Sequence, residues 1–564
     1  MASKDISFKD RHIKMKAASG NDFFEIDENQ PFAHWGLHVL AGILCVVFAL
    51  WVWLLNPTPQ IHGDQVNLVT MVISKEHPEN FVKDTIYSGN AANFYPPLPR
   101  AVIRSFINKF GIIGGHRVAQ LPLSIAYLLV MYSVLYYLTR SVPTAVLVAC
   151  TSIIWRWSLP ESYWGLDRLQ AVQPRSFVTI FVPILFVLFW KFRNSKWLLL
   201  IFFIAGLLFN LNPPSALFFS FLGLTSLFLI SLRDRRQMLR LLGCGGMVIV
   251  GALPFILNYA AIRSRGIMDL STQELQEYAR AIQYRYSNST MSLPVPAATV
   301  AKVFFSGFAG PLFLASIAWC LRNGKRNEFD KWSLYFFLLA FLGMVLAQYV
   351  VQMIYKGFNS VPVVPCMRGQ KFAYLVLYIY IGWFLAELLR RFGSREKSVL
   401  IFVTGLIVAV MPLFGNNANN PWGQWRYNLE QADKLLSGER IESAGWHDGI
   451  ASVCSWARQN TPKDSLFLFV HRFMSPFRIY AQRSLVSSQV GRDAARSNGA
   501  RCFTTWAKYQ LELERITAER DVARLLQLAK VSGADYIIVS GDFPKVGGWY
   551  PVFRDALWTV YKKP

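Results

Sequence analysis

The sequence predicts a mainly α, polytopic membrane protein with about 11 transmembrane helices and a small C-terminal α/β domain outside the cytoplasmic membrane. Three observations predict this class. Of the 564 residues 53% are hydrophobic. The apolar residues come in blocks of about 18–22, the length that crosses a bilayer as a helix. Beyond residue 415 the blocks give way to a polar tail of mixed helical and strand pattern.

The expected spans centre on residues 36–55, 119–138, 143–158, 176–190, 197–210, 215–232, 241–260, 303–321, 333–354, 373–389 and 398–414. Residues 1–35 are polar, and no small-residue cleavage site follows the first block, so this block is read as a retained span. The chain thus divides into a cytoplasmic segment (1–35), a membrane domain (36–415) with a long first outer loop (56–118), and an α/β domain (416–564). In the tail, 441–459 and 504–530 read as helical, and "LFLFV", "SLVSS" and "DYIIVS" read as strands.

The net charge of +24 would suggest nucleic acid in a soluble protein. Here its placement explains it. With the N-terminus cytoplasmic, "KFRNSK", "RDRRQMLR", "RNGKRNEFDK" and "RRFGSREK" all fall inside, and the density of Lys and Arg is about threefold higher there than in the outer loops. Orientation accounts for the excess, and no nucleic-acid partner is expected. The tail is then periplasmic or extracellular. Cys454 and Cys502 fall in it, where an oxidising compartment permits a bridge.

The first outer loop is too long for a plain connector. It opens with "IHGDQVNLVTM", in which Asp64 stands a few residues beyond the first span without a neighbouring Lys, and it also carries Glu76, Glu79 and Asp84. Asp84 is given no role in catalysis, and Asn there should do little. "PRAVIRSFINKFGI" places Val102, Ile103, Phe106, Ile107 and Phe110 on one helical face, with Arg100, Arg104 and Lys109 near the other, as in a helix lying at a lipid surface. His62, His77 and His116 are weak metal candidates, because isolated loop histidines seldom bind metal. The second outer loop, "SLPESYWGLDRLQAVQPRSF", holds Glu161, Asp167, Arg168 and Arg175; a later one, "YKGFNSVPVVPCMRGQKF", ends in Arg368 and Lys371.

A first span leading to an early acid, a second acidic loop after the third span, an interfacial helix and an outer C-terminal domain together resemble the GT-C membrane glycosyltransferases. The family includes oligosaccharyltransferase catalytic subunits, protein O-mannosyltransferases and lipid A aminoarabinose transferases. The tail segment "WARQNTPKDSLFLFVHRFMSPFRIYAQRSL" followed by "GADYIIVS" is similar to the C-terminal domain of bacterial proteins of this kind. The resemblance implies a bacterial cytoplasmic-membrane enzyme that moves a sugar from a polyprenyl-phosphate-linked donor to a glycan, lipid or protein acceptor of the cell envelope. It assigns Asp64 and Asp167 to catalysis, and Arg168, Arg175, Arg368 and Lys371 to the donor phosphate. Each has a plainer reading, as a helix cap or as a span-end anchor in contact with membrane lipid.

Many family members carry paired acids early in the first loop, whereas Gln65 and Val66 follow Asp64 here. The need for a divalent metal such as Mg or Mn is therefore open. A lipid or solute transporter or flippase, and a non-enzymatic assembly protein, are the competing readings. Against a transporter, the charges inside the expected spans (Arg156, Lys302 and Glu387) fall near span ends rather than at the midplane.

Overall fold

The computed structural model describes residues 35–55, 61, 64–88, 96–154, 158–159, 162–163, 172–232, 234–263, 271–287, 309–322, 327–357, 366–392, 433–434, 436–439, 450–471, 476–488, 491, 494–495 and 498–564. Helices dominate up to residue 392: α1 (Trp35–Leu55), α2 (Asp64–Glu76), α3 (Pro97–Thr139), α4 (Val142–Ile154), α5 (Pro174–Lys191), α6 (Trp197–Leu207), α7 (Pro213–Ile230), α8 (Arg235–Arg263), α9 (Thr272–Ser287), α10 (Ala309–Leu321), α11 (Glu328–Leu338), α12 (Met344–Gly357) and α13 (Ala373–Phe392). A π turn, Leu339–Gly343, joins α11 to α12, and a 3-10 turn, Cys366–Phe372, precedes α13.

Among the described residues seven helices are long and apolar enough to cross a membrane. Two shorter apolar helices match the expected spans 143–158 and 197–210. The helix in the 303–321 block runs from Ala309 to Leu321, and the expected span 398–414 lies outside the described residues. Of the about 11 expected spans, the described residues thus show seven of spanning length and two shorter apolar helices.

Contacts define the two ends of the bundle. At one end Arg193 pairs with Glu328 at 3.3 Å, Gln237 bonds Asn194, and Arg390 donates to the carbonyl of Thr139. The other end carries α2, α9 and the tail.

Two glycine contacts set the packing. Gly111 adopts φ +77°, a left-handed conformation that L side chains avoid, and breaks α3 into an interfacial arm and a span. A Cβ on Gly115 would come within 2.6 Å of the Ile107 backbone, so the arm lies tight against the start of the span. On that arm Ile103 and Ile107 are buried while Arg104 and Lys109 are exposed, as the pattern predicted. Gly206 of α6 and Gly251 of α8 each meet the other helix's backbone, the small-residue packing that brings membrane helices close. Gly251→Val should push α6 from α8; we expect a fall of several degrees in the detergent melting temperature, measured by intrinsic fluorescence.

The tail is a three-layer α/β unit. Strands β3 (Leu466–Phe469), β4 (Ser484–Leu485), β5 (Tyr536–Ser540), β6 (Tyr550–Arg554) and β7 (Trp558–Lys562) form one sheet in the order β4-β3-β5-β7-β6. β3 runs parallel to β4 and β5, and β7 is antiparallel to β5 and β6. Alternation along the strands supplies two cores. Leu466, Leu468, Ile537 and Val539 face α16 (Ala500–Glu519) and α17 (Val522–Ser532). Phe467, Phe469, Ile538 and Val560 face α14 (Ala451–Asn460) and the short α15 (Phe477–Tyr480).

The expected helix 504–530 is two helices, since Arg520 takes a left-handed turn and Asp521 caps α17. The first half of the other expected helix, 441–459, lies outside the described residues, and α14 supplies the second half. Strands β6 and β7 had no sequence expectation. Cys454 and Cys502 are both free: Cys454 lies under the sheet, while Cys502 donates to the Thr85 carbonyl at 3.1 Å and burial pushes its thiol up to about 12.

Candidate functional site

The tail clasps the first long loop. Asp84, where Asn was expected to do little, is 1% exposed, and Arg478 of α15 holds it bidentately with Nε–Oδ2 at 2.7 Å and Nη2–Oδ1 at 3.1 Å. The same carboxylate accepts the backbone N–H groups of Ile86, Tyr87 and Leu485 at 2.8–2.9 Å. Five donors converge on one carboxylate, so the charge is internal to the joint between loop and tail. Around it Ser484 donates to the Asn80 carbonyl and Asn498 to those of Ile86 and Ser88. Lys83 pairs with Asp535 at 3.0 Å, and that hydrogen bond raises its pKa. On another side α9 lies along α16, with Arg501–Glu274 and Lys508–Glu277 pairs at 2.9 Å and Tyr278 edge-on to Phe503.

The joint sets α2 in place. This helix was expected to be loop; instead it is wound from Asp64 and buried from Gln65 through Ser74. It packs between α3 and α15. Its buried polar groups are satisfied locally: Tyr87 donates to Asn67 Oδ1 at 2.6 Å and Thr70 to the Val66 carbonyl. Asp64 is therefore the first residue of a buried helix rather than a loop residue, and its side chain lies outside the described residues.

Three of the four expected cations meet. Lys371 is 5% exposed and its Nζ donates to Ser215 Oγ at 2.6 Å. Its amine is buried, and among the described residues Arg175 and Arg368 lie close enough for their charges to bear on it. Chain geometry explains the meeting. Gln173 and Pro174 open α5 with Arg175 in its first turn, Asn212 caps α7 so that Ser215 falls in its first turn, and Arg368 and Lys371, three apart, share one side of a 3-10 turn. All of these are helix starts or turns at the tail-side end. The hairpin of β1 (Ser158–Leu159) and β2 (Ser162–Tyr163), which opens the second long loop, packs on that same turn. Asp167 and Arg168, further along this loop, lie outside the described residues, as do Glu161 and His62.

Three like charges gathered at a buried amine are costly unless an anion joins them. Arginine supplies a planar fork and lysine a point charge, both suited to phosphate oxygens. Among the described residues no three His, Cys, Asp or Glu side chains gather as metal ligands; His77 sits near Glu79 at the surface, and His116 is buried in α3. Sequence reasoning missed Ser215. The signal available was its place directly after "NPP" at a span start.

Residues 448–488 match the model of a domain of unknown function, DUF6798. That stretch runs from α14 through β4 and contains Arg478, Ser484 and Leu485, which grip the first loop. A comparison with curated protein sequences finds no match. Among solved structures the chain is similar to ArnT from Cupriavidus metallidurans bound to undecaprenyl phosphate, at 13% identity and a TM-score of 0.49, covering 92% of this chain and 97% of that one. The same enzyme in the apo state is matched at 14% identity and a TM-score of 0.42, over 94% and 98% of the two chains.

Proposed function

We propose that the protein is a membrane glycosyltransferase that moves a sugar from a polyprenyl-phosphate-linked donor to a cell-envelope acceptor, at the tail-side face of a bacterial cytoplasmic membrane. The observation that carries this reading is the meeting of Arg175, Arg368 and Lys371 at the ends of α5, α7 and the Cys366–Phe372 turn. In the transfer, an acceptor hydroxyl attacks the anomeric carbon, the bond from that carbon to the phosphate oxygen breaks, and the lipid phosphate leaves with the electron pair. The three cations stabilise the charge that develops on the leaving oxygen. Asp64 takes the hydroxyl proton, and Asp167 and Arg168 assist from the second loop. The positive-inside pattern supports an N-terminus in the cytoplasm and a tail outside.

The test is to incubate the purified protein with a panel of polyprenyl-phosphate-linked sugars and to detect released lipid phosphate. Undecaprenyl phosphate serves as the binding probe. Arg368→Ala and Lys371→Ala should each weaken its binding by roughly tenfold or more, the scale of one lost charge-assisted hydrogen bond. Binding unchanged in both variants, together with no release from any donor in the panel, would remove the proposal.

A further inference from the structure

A second polar surface adjoins the cations. Ala340, Met344 and Gln348 form the buried stripe of the segment whose Leu342, Leu346 and Val350 are exposed. The stripe faces the Cys366–Phe372 turn: a Cβ on Gly369 would come within 2.6 Å of the Met344 sulfur, and α12 packs on the turn. Gln348 lies one helical turn beyond Met344, about 6 Å closer to the tail-side end. Its side chain is 1% exposed, and among the described residues neither Oε1 nor Nε2 has a hydrogen-bond partner. Gln370, on the turn itself, donates through Nε2 to the Phe341 carbonyl at 3.0 Å, while its Oε1 has no partner among the described residues. That carbonyl belongs to the π turn Leu339–Gly343, a local distortion that often accompanies a functional site.

A buried carboxamide with both ends unmatched costs free energy that a hydrophobic residue of similar size would not. Its chemistry also selects the ligand. A phosphate only accepts, so it would satisfy Nε2 and leave Oε1 facing negative oxygen. A ring hydroxyl donates and accepts at once, matching both ends of Gln348 and the free oxygen of Gln370. The turn that packs on this helix carries Arg368 and Lys371, and cations so placed disfavour a protonated amino sugar.

We infer that Gln348 and Gln370 bind ring hydroxyls of an uncharged sugar carried on the lipid phosphate; this rests on the donor reading above. The carboxamides hold the sugar while Arg175, Arg368 and Lys371 hold its phosphate. Specificity for a neutral hexose over an amino sugar then arises at the α12 face rather than at the phosphate.

The experiment uses the full chain in lipid nanodiscs and three probes: undecaprenyl phosphate alone, the same lipid phosphate carrying a neutral hexose, and the same carrying an amino sugar. The wild-type protein should bind the neutral donor at least about fivefold more tightly than the other two. Gln348→Leu should leave undecaprenyl phosphate binding within about twofold and weaken the neutral donor by roughly tenfold, as expected for one or two hydrogen bonds. Gln348→Met should reproduce it, and unchanged binding of the bare lipid phosphate reports a folded protein. If the wild type fails to bind undecaprenyl phosphate, the donor reading falls and this inference with it. If it binds that probe but shows no preference for the neutral donor, or Gln348→Leu leaves the preference intact, this inference alone falls.

Discussion

Asp64→Asn should lower sugar transfer by at least about a hundredfold while leaving expression and thermal stability close to wild type, the scale of losing a general base. The structure sharpens the reason. Asp64 opens α2, and Gln65 through Ser74 of that helix are buried between α3 and α15, so the backbone that carries the carboxylate is fixed from both sides. Asn keeps the shape, remains a good helix-start residue and removes only the charge. Release of lipid phosphate from the active donor is the readout. Turnover near wild type in the Asn variant would take Asp64 out of catalysis.

Asp84→Asn should destabilise the protein strongly, with a cost on the order of 3–5 kcal/mol, because Arg478 would be left as an uncompensated buried charge. This reverses what the sequence suggested for the same substitution. The carboxylate collects both nitrogens of a bidentate Arg478 contact and three backbone N–H groups, and an amide cannot accept all five. Arg478→Ala should be comparably damaging. Limited proteolysis and melting of the purified variants would show it, the tail becoming cleavable at lower temperature than the helical bundle. A melting curve superimposable on wild type for both variants would show that the clasp contributes little.

Much of the architecture was legible, and the exceptions share a cause. The spans announced themselves because a bilayer needs long unbroken apolar runs, and β3 and β5 because "LFLF" and "YIIVS" must be buried on both faces. Arg175, Arg368 and Lys371 were visible because cations at span ends stand out against apolar neighbours. Helix α2 was not legible: Gln65, Asn67 and Thr70 interrupt its apolar residues, and they become tolerable inside only once Tyr87 and the α15 segment arrive. Asp84 was misread because its partner lies 394 residues away, and no local pattern reports such a distance. Strand β6 escaped notice because it is an exposed edge strand interrupted by Pro551, which gives no alternating signal.

The long separation between Asp84 and Arg478 also bears on how the chain is made. At a synthesis rate of about 5–20 residues per second, roughly 20–80 s pass between the emergence of the first loop and that of its clasp. Throughout that interval the loop is in place beside the membrane with a carboxylate whose arginine does not yet exist, and α2 has no partner for the face that α15 will cover. The helix that begins at Asp64 is thus completed by nearly the last part of the polypeptide to appear. A nascent chain remains an open assembly until its tail has reached the same side of the membrane, and a chain truncated before Arg478 would be inserted yet unfinished.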